Sequence, residues 1–114
     1  MATRARIGLL NSDGTTETVY CHYDGYPERM LPLLKAYYNG IRKVKSLLKL
    51  GDLSYIDGGY ACAYHRDMNR PYRPSVTHTN IEALCVGDCG EEWFYLYNVV
   101  KRKWEKHKYK PKEY

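Results

Sequence analysis

Apolar and polar residues alternate at the start of the chain. Ala5, Ile7 and Leu9 fall on one face of an extended segment, which is the period-two pattern of a half-buried strand. The turn signal Asn-Ser-Asp-Gly lies at 11–14, and the run at 16–23 is rich in β-branched and aromatic residues. The pattern predicts a β-hairpin.

A helical period follows the hairpin. Apolar residues then recur three and four positions apart, at Met30, Leu34, Tyr37 and Tyr38. Because proline is tolerated best in the first turn of a helix, we expect this helix to begin near Leu31, with Pro32 in its first turn. A second short helix is predicted over 41–50, with Gly51 as its C-cap.

The rest of the chain predicts mostly extended structure. Strands are expected at 60–65, 92–99 and 103–109, loops at 52–59 and 68–79, and a helical turn at 80–84. The sum is an α+β fold, in which an antiparallel sheet of about five strands carries two short helices on one face. We expect residues 1–107 to form one domain and residues 108–114 to form a basic C-terminal tail.

The positive charge is concentrated at the C-terminal end. The formal net charge is +5, and the basic and acidic residues of 1–100 balance each other, so the excess lies within 101–114. The chain also contains 13 tyrosines against 1 phenylalanine, which suits contact surfaces or a small tyrosine-built core. The predicted partner-binding residues are basic or aromatic side chains of this end: Lys103, Trp104, Lys106, Lys108, Tyr109 and Lys110. Nucleic acid is one expected partner for such residues.

Cysteine and histidine spacing predicts a metal site. The predicted ligands are Cys62, His65, Cys85 and Cys89, and Cys21 or His22 are alternates for the first pair. Short chelating spacings of this kind are typical of zinc, and four protein ligands would make the zinc structural. On a regular strand Cys62 and His65 would point to opposite faces, so both bind one ion only if the strand ends or bulges near Tyr64.

Catalytic motifs are absent from the sequence. No glycine-rich phosphate loop or nucleophile elbow accompanies the titratable residues. The remaining enzymatic hypothesis is a small hydrolase or nuclease that uses His65 and Asp67, because general acid–base chemistry needs a positioned histidine. We therefore expect a protein that is not an enzyme. No apolar stretch is long enough to cross a membrane.

Several segments form a recognisable series in chain order. They are Arg4-Ala-Arg-Ile-Gly, Tyr20-Cys-His-Tyr-Asp-Gly-Tyr-Pro-Glu28, Leu33-Leu34, Tyr37-Tyr38, Gly51-Asp-Leu-Ser54, Ala63-Tyr-His-Arg-Asp67 and Glu92-Trp-Phe-Tyr-Leu96. With them the chain resembles a family of small proteins encoded by bacteriophages and prophages. It departs from that family's pattern at Pro32, Cys62, Cys85 and Cys89, so the zinc prediction depends on this chain's own residues.

The resemblance implies a setting in the host bacterial cytoplasm. Small phage accessory proteins of this size include anti-CRISPR inhibitors, which bind an effector without catalysis. The expected function is therefore a counter-defence protein that binds a Cas9-type nuclease, with its guide RNA, and blocks DNA loading or cleavage. The alternative is a zinc-stabilised phage protein that binds nucleic acid directly through the basic tail.

Overall fold

A computed structural model describes residues 3–84 and 90–109. Within these ranges the chain forms seven strands and four helices. Their order is β1 (Ala5–Leu10), β2 (Thr16–Cys21), α1 (Pro27–Tyr37), α2 (Ile41–Lys49), β3 (Leu53–Asp57), β4 (Tyr60–Ala63), α3 (Tyr64–Met68), β5 (Val76–His78), α4 (Ile81–Leu84), β6 (Trp93–Asn98) and β7 (Lys103–Lys108). No helix in the described ranges combines the length and apolar character needed to cross a membrane.

The α+β class is confirmed, but the expected antiparallel sheet is wrong. The sheet is mixed, with the strand order β4-β3-β2-β1-β6-β7, and β5 pairs with β2 beside β3. The pairs β2–β3 and β1–β6 are parallel, whereas the hairpins β1–β2, β3–β4 and β6–β7 are antiparallel. Helices α1 and α2 connect β2 to β3, and a helical crossover of this kind is what a parallel pair requires.

The two main helices cover one face of the sheet, as expected. Ile7, Val19 and Tyr95 are fully buried in one cluster with Met30 of α1 and Leu47 of α2. The alternation at the start of the chain therefore does define the core face. Tyrosine serves both core and surface, because Tyr95 is buried while six others are more than a third exposed: Tyr23, Tyr26, Tyr37, Tyr55, Tyr60 and Tyr72.

Helix α1 begins earlier than predicted. Pro27 lies in its first turn, where the missing N–H removes no helical hydrogen bond, and Pro32 lies inside the helix. The start near Leu31 was wrong because Pro27, rather than Pro32, occupies the favoured position. The second helix agrees with the prediction except at its end, where Leu50 is the C-cap and Gly51 follows with a φ of 76°, a conformation that glycine adopts readily.

A smaller cluster lies on the opposite face of the sheet. Phe94 and Leu96 of β6 pack there with Leu84 of α4 and with Tyr109. The boundary expected between the domain and its tail, after residue 107, falls within β7, which ends at Lys108. Tyr109, the next residue, is only 6% exposed. Residues 110–114 of the predicted tail lie outside the described ranges.

Candidate functional site

A cleft of about 830 Å³ opens on the sheet face opposite α1 and α2. Its volume is within the range of small-ligand sites. The described residues that line it include four arginines, two histidines, two tyrosines and one carboxylate: Arg4, Arg6, Arg70, Arg73, His22, His65, Tyr20, Tyr64 and Asp52, together with Pro71 and Gly90.

Strand alternation places the first wall of the cleft. Arg6 and Tyr20 pair across β1 and β2, and they point away from the face that carries Ile7 and Val19. The Arg6 guanidinium is fixed by two hydrogen bonds to Thr18, from Nε to the hydroxyl (2.8 Å) and from Nη2 to the carbonyl (3.2 Å). The side chain is thereby ordered before any ligand arrives.

The second wall is the segment that follows β4. Helix α3 ends at Met68 and is capped by Asn69, whose φ of 52° reverses the chain, and the Arg70 N–H then donates to the Tyr64 carbonyl (3.0 Å). His65 Nδ1 lies 2.9 Å from the Arg70 carbonyl oxygen, and its ring meets the edge of Tyr72 at 5.4 Å. These contacts hold the segment in the bend that lines the cleft.

Asp52 joins the two walls. Its N–H donates to the Arg73 carbonyl (3.1 Å), and its own carbonyl accepts from the Tyr64 N–H (3.2 Å). Its Oδ1 accepts a hydrogen bond from the Tyr20 N–H at 3.3 Å. Burial raises the pKa of Asp52, although the Tyr20 N–H and the guanidiniums of Arg6 and Arg73 oppose that rise.

The cleft is strongly basic. Among the described lining residues Asp52 is the only acid, against four arginines. The buried side chain of Glu91 offsets part of this positive charge, since its Oε1 lies 3.9 Å from Arg6 Nη1. Arg70 and Arg73 are exposed and make no side-chain hydrogen bond or ion pair within the described chain. Their guanidiniums are therefore available to an anionic ligand.

His22 adds a polar aromatic group to the cleft. Its Nδ1 lies 2.7 Å from the Tyr20 hydroxyl, and its ring meets Tyr23 edge-on at 4.5 Å. Tyr20, His22, Tyr64 and His65 thus interleave ring systems with the arginines. Rings beside guanidiniums suit a ligand that combines phosphate groups with planar bases.

The described predicted metal ligands lie in different surroundings. Cys62 is buried on β4 opposite Tyr55, whereas His65 is exposed on α3. The strand does end before Tyr64, which meets one of the two alternative conditions for both residues to bind one ion. Within residues 3–84 and 90–109, no three His, Cys, Asp or Glu side chains are grouped to hold a metal.

Of the other predicted metal ligands, Cys21 and His22 lie within the described residues and have different surroundings. Cys21 faces the helix-covered core, and burial raises its thiol pKa to about 12, which disfavours the thiolate that zinc requires. His22 lies in the basic cleft instead. Cys85 and Cys89 lie outside the described residues. The structural zinc site therefore stays a prediction.

The predicted partner-binding residues of the C-terminal end differ in exposure, with the aromatic rings buried and the described lysines exposed. Trp104 and Tyr109 are 5% and 6% exposed, so the protein's own core already surrounds their rings. Lys103, Lys106 and Lys108 are exposed on the edge strand β7, where lysines also protect a sheet edge from pairing. Lys110 is outside the described ranges.

His65 and Asp67 are engaged in separate interactions. Asp67 accepts a hydrogen bond from the Ala63 N–H (2.8 Å) and pairs with Arg66 (2.9 Å), while His65 Nδ1 contacts Arg70. Asp67 therefore secures the start of α3 rather than orienting the histidine. That arrangement gives no support to the hydrolase hypothesis.

The arginine cluster was missed by sequence reasoning. Its members are far apart in sequence, with Arg4 just before β1, Arg6 on β1, and Arg70 and Arg73 after α3. The balanced charge of residues 1–100 concealed it, because a sum over sequence does not report which charges meet in space. The alternation of Arg4 and Arg6 with the core residues of β1 was the available signal.

No protein-family model, curated protein or solved structure matches this chain. The resemblance to phage-encoded proteins therefore stays a prediction. Several segments on which it rests nevertheless meet in the cleft, through Arg4, Arg6, Tyr20, His22, Asp52, Tyr64 and His65.

Proposed function

We propose that this protein binds nucleic acid through the basic cleft and acts without catalysis. The observation that carries the proposal is the convergence of four arginines and four ring-bearing side chains on one site. Arginine forks match phosphate oxygens, and aromatic or imidazole rings offer faces to the bases. Because a single-stranded segment exposes its bases, it fits this combination better than a duplex does.

The test compares two double variants that lose the same charge. Arg70→Gln/Arg73→Gln removes the exposed guanidiniums of the cleft, and Arg42→Gln/Lys43→Gln removes two exposed charges from α2 on the opposite side of the sheet. Binding to a short labelled single strand is measured by anisotropy over a range of salt concentrations. We expect the cleft variant to weaken binding about 10-fold or more, and to reduce the salt slope by about 1.4 for two lost phosphate contacts.

The control variant separates a site from a general charge effect. We expect the α2 variant to retain the affinity and salt slope of the unmodified protein. Equal losses in both variants would show that charge alone governs binding, and absence of binding by the unmodified protein would reject the function. A third variant, Lys106→Gln/Lys108→Gln, measures the contribution of the predicted contacts on β7.

A counter-defence role is the second proposal. An effector loaded with guide RNA offers protein surface beside phosphate backbone, and six tyrosines at least 37% exposed are available for protein contact. In this role the chain binds a Cas9-type nuclease and blocks DNA loading or cleavage. Co-purification and a DNA-cleavage assay test it, and a loaded nuclease that neither binds the chain nor loses activity contradicts it.

A further inference from the structure

One lining residue of the cleft does not suit a ligand made of phosphates alone. Asp52 places a carboxylate among four arginines, where it repels a phosphate group rather than attracting it. Its backbone joins both walls of the cleft, and its Oδ1 accepts from Tyr20. Within the described chain, Oδ2 accepts no hydrogen bond. One carboxylate oxygen thus remains as an acceptor in a site otherwise rich in donors.

A free acceptor indicates a ligand that also carries a hydrogen-bond donor. Arg6 and Arg73 line the same cleft as Asp52, and the Asp52 N–H donates to the Arg73 carbonyl, so the acceptor and the anion-binding groups belong to one site. In RNA the hydrogen-bond donor that recurs beside every phosphate is the ribose 2′-hydroxyl. DNA lacks this hydroxyl. A base donor, by contrast, varies with the sequence.

We propose that the cleft selects RNA over DNA, with Asp52 Oδ2 accepting a hydrogen bond from a ribose 2′-hydroxyl next to a phosphate held by the arginines. The inference rests on the proposed nucleic-acid-binding function and specifies its ligand. Asp52 is a specificity residue here, and no bond of the ligand is made or broken. The arginines supply affinity, and the carboxylate supplies the distinction between the two sugars.

The experiment compares three single strands of one sequence: RNA, DNA and 2′-O-methyl RNA. The methyl group removes the donor while the sugar remains a ribose derivative. We expect the unmodified protein to bind RNA about 10-fold more tightly than DNA, the worth of one hydrogen bond to a charged group. The 2′-O-methyl strand should bind like DNA. If it binds as tightly as RNA, the 2′-hydroxyl is not the donor and the inference fails.

The variant Asp52→Asn isolates the oxygen that faces the ligand. Its amide oxygen can still accept from the Tyr20 N–H, while the amide nitrogen replaces Oδ2 and donates instead of accepting. RNA affinity should fall about 10-fold to the level of DNA. DNA affinity should stay unchanged or rise, since a negative charge is lost. A purely structural role for Asp52 would lower both affinities together, and that result would overturn the inference.

The outcomes separate this inference from the function on which it rests. If the unmodified protein binds RNA and DNA equally and Arg70→Gln/Arg73→Gln weakens both, the selectivity is rejected and nucleic-acid binding stands. If none of the three oligonucleotides binds, the proposed nucleic-acid-binding function itself is rejected. Thermal unfolding of Asp52→Asn verifies that the variant folds. If it does not fold, the comparison of the three strands on the unmodified protein still decides.

Discussion

At the residue scale, the alternation of apolar and polar residues predicted the face to which a side chain points, but not which side chains form a site. The alternation predicted at Ala5, Ile7 and Leu9 does place these side chains in the core, and the same alternation on β2 explains why Cys21 lies in the core and His22 in the cleft. The role of Asp52 could not be predicted, because its partners Tyr20 and Arg73 are remote in sequence. Only the folded chain brings their backbone groups within hydrogen-bond distance.

Asp67 gives a residue-scale prediction about pH. Arg66, together with the Ala63 N–H, lowers its carboxyl pKa from 3.8 to about 2. Since the folded-state pKa is depressed, the stabilisation is present above 3.8 and is lost as the pH falls towards 2. We expect Asp67→Asn to lower the thermal midpoint at neutral pH, and the difference from the unmodified protein to shrink as the pH falls and to disappear below pH 2.

The matched control is Asp57→Asn, which makes the same chemical change at another exposed carboxylate on β3. Its midpoint should follow that of the unmodified protein at every pH. Thermal unfolding followed by circular dichroism provides the measurement. A difference for Asp67→Asn that persists at the lowest pH would show that the lost interaction does not depend on ionisation.

At the element scale, periodicity predicted most of the elements but not the directions in which the strands pair. The first hairpin, the second helix, the turn at α4 and the strands β6 and β7 agree with expectation. The parallel pairs β1–β6 and β2–β3 do not, because alternation and β-propensity look alike in parallel and antiparallel strands. Strands β3 and β5 went unrecognised, because β3 lies in the stretch 52–59 that was expected to be a loop and β5 lies in a stretch marked by two prolines. The strand expected over 60–65 ends at Ala63, because helix α3 begins at Tyr64.

Trp104 anchors the edge strand β7. Its Nε1–H donates to the Tyr38 carbonyl at the end of α1 (3.1 Å), and its ring meets Tyr97 at 5.6 Å. Trp104→Phe removes the donor and leaves a buried carbonyl unsatisfied, so we expect a loss of about 1–3 kcal/mol in the free energy of unfolding. Trp104→Ala should lose about 3–5 kcal/mol.

Chemical denaturation measures these losses. Lys103→Ala, on the same strand but exposed, should change the free energy of unfolding by no more than about 0.5 kcal/mol. A Trp104→Phe variant as stable as the unmodified protein would show that the hydrogen bond to Tyr38 contributes nothing net.

At the scale of the whole molecule, the predicted structural zinc would link segments that are distant in the sequence. About one equivalent of zinc per chain is expected in protein purified without chelators, and Cys85→Ser and Cys89→Ser should each abolish it. Ser54→Ala, a buried polar residue outside the predicted ligand set, is the control and should retain the metal. Elemental mass spectrometry that finds less than about a tenth of an equivalent would reject the prediction.

The position of β1 in the sheet has a consequence for synthesis on the ribosome. The first strand lies between β2 and β6, and Ala5 pairs with Trp93 near the other end of the chain. The nascent protein can pair β1 with β2 early, yet one edge of β1 stays unpaired until β6 emerges. Chains that end before residue 93 should therefore aggregate, and synthesis of β6 completes the pairing of β1.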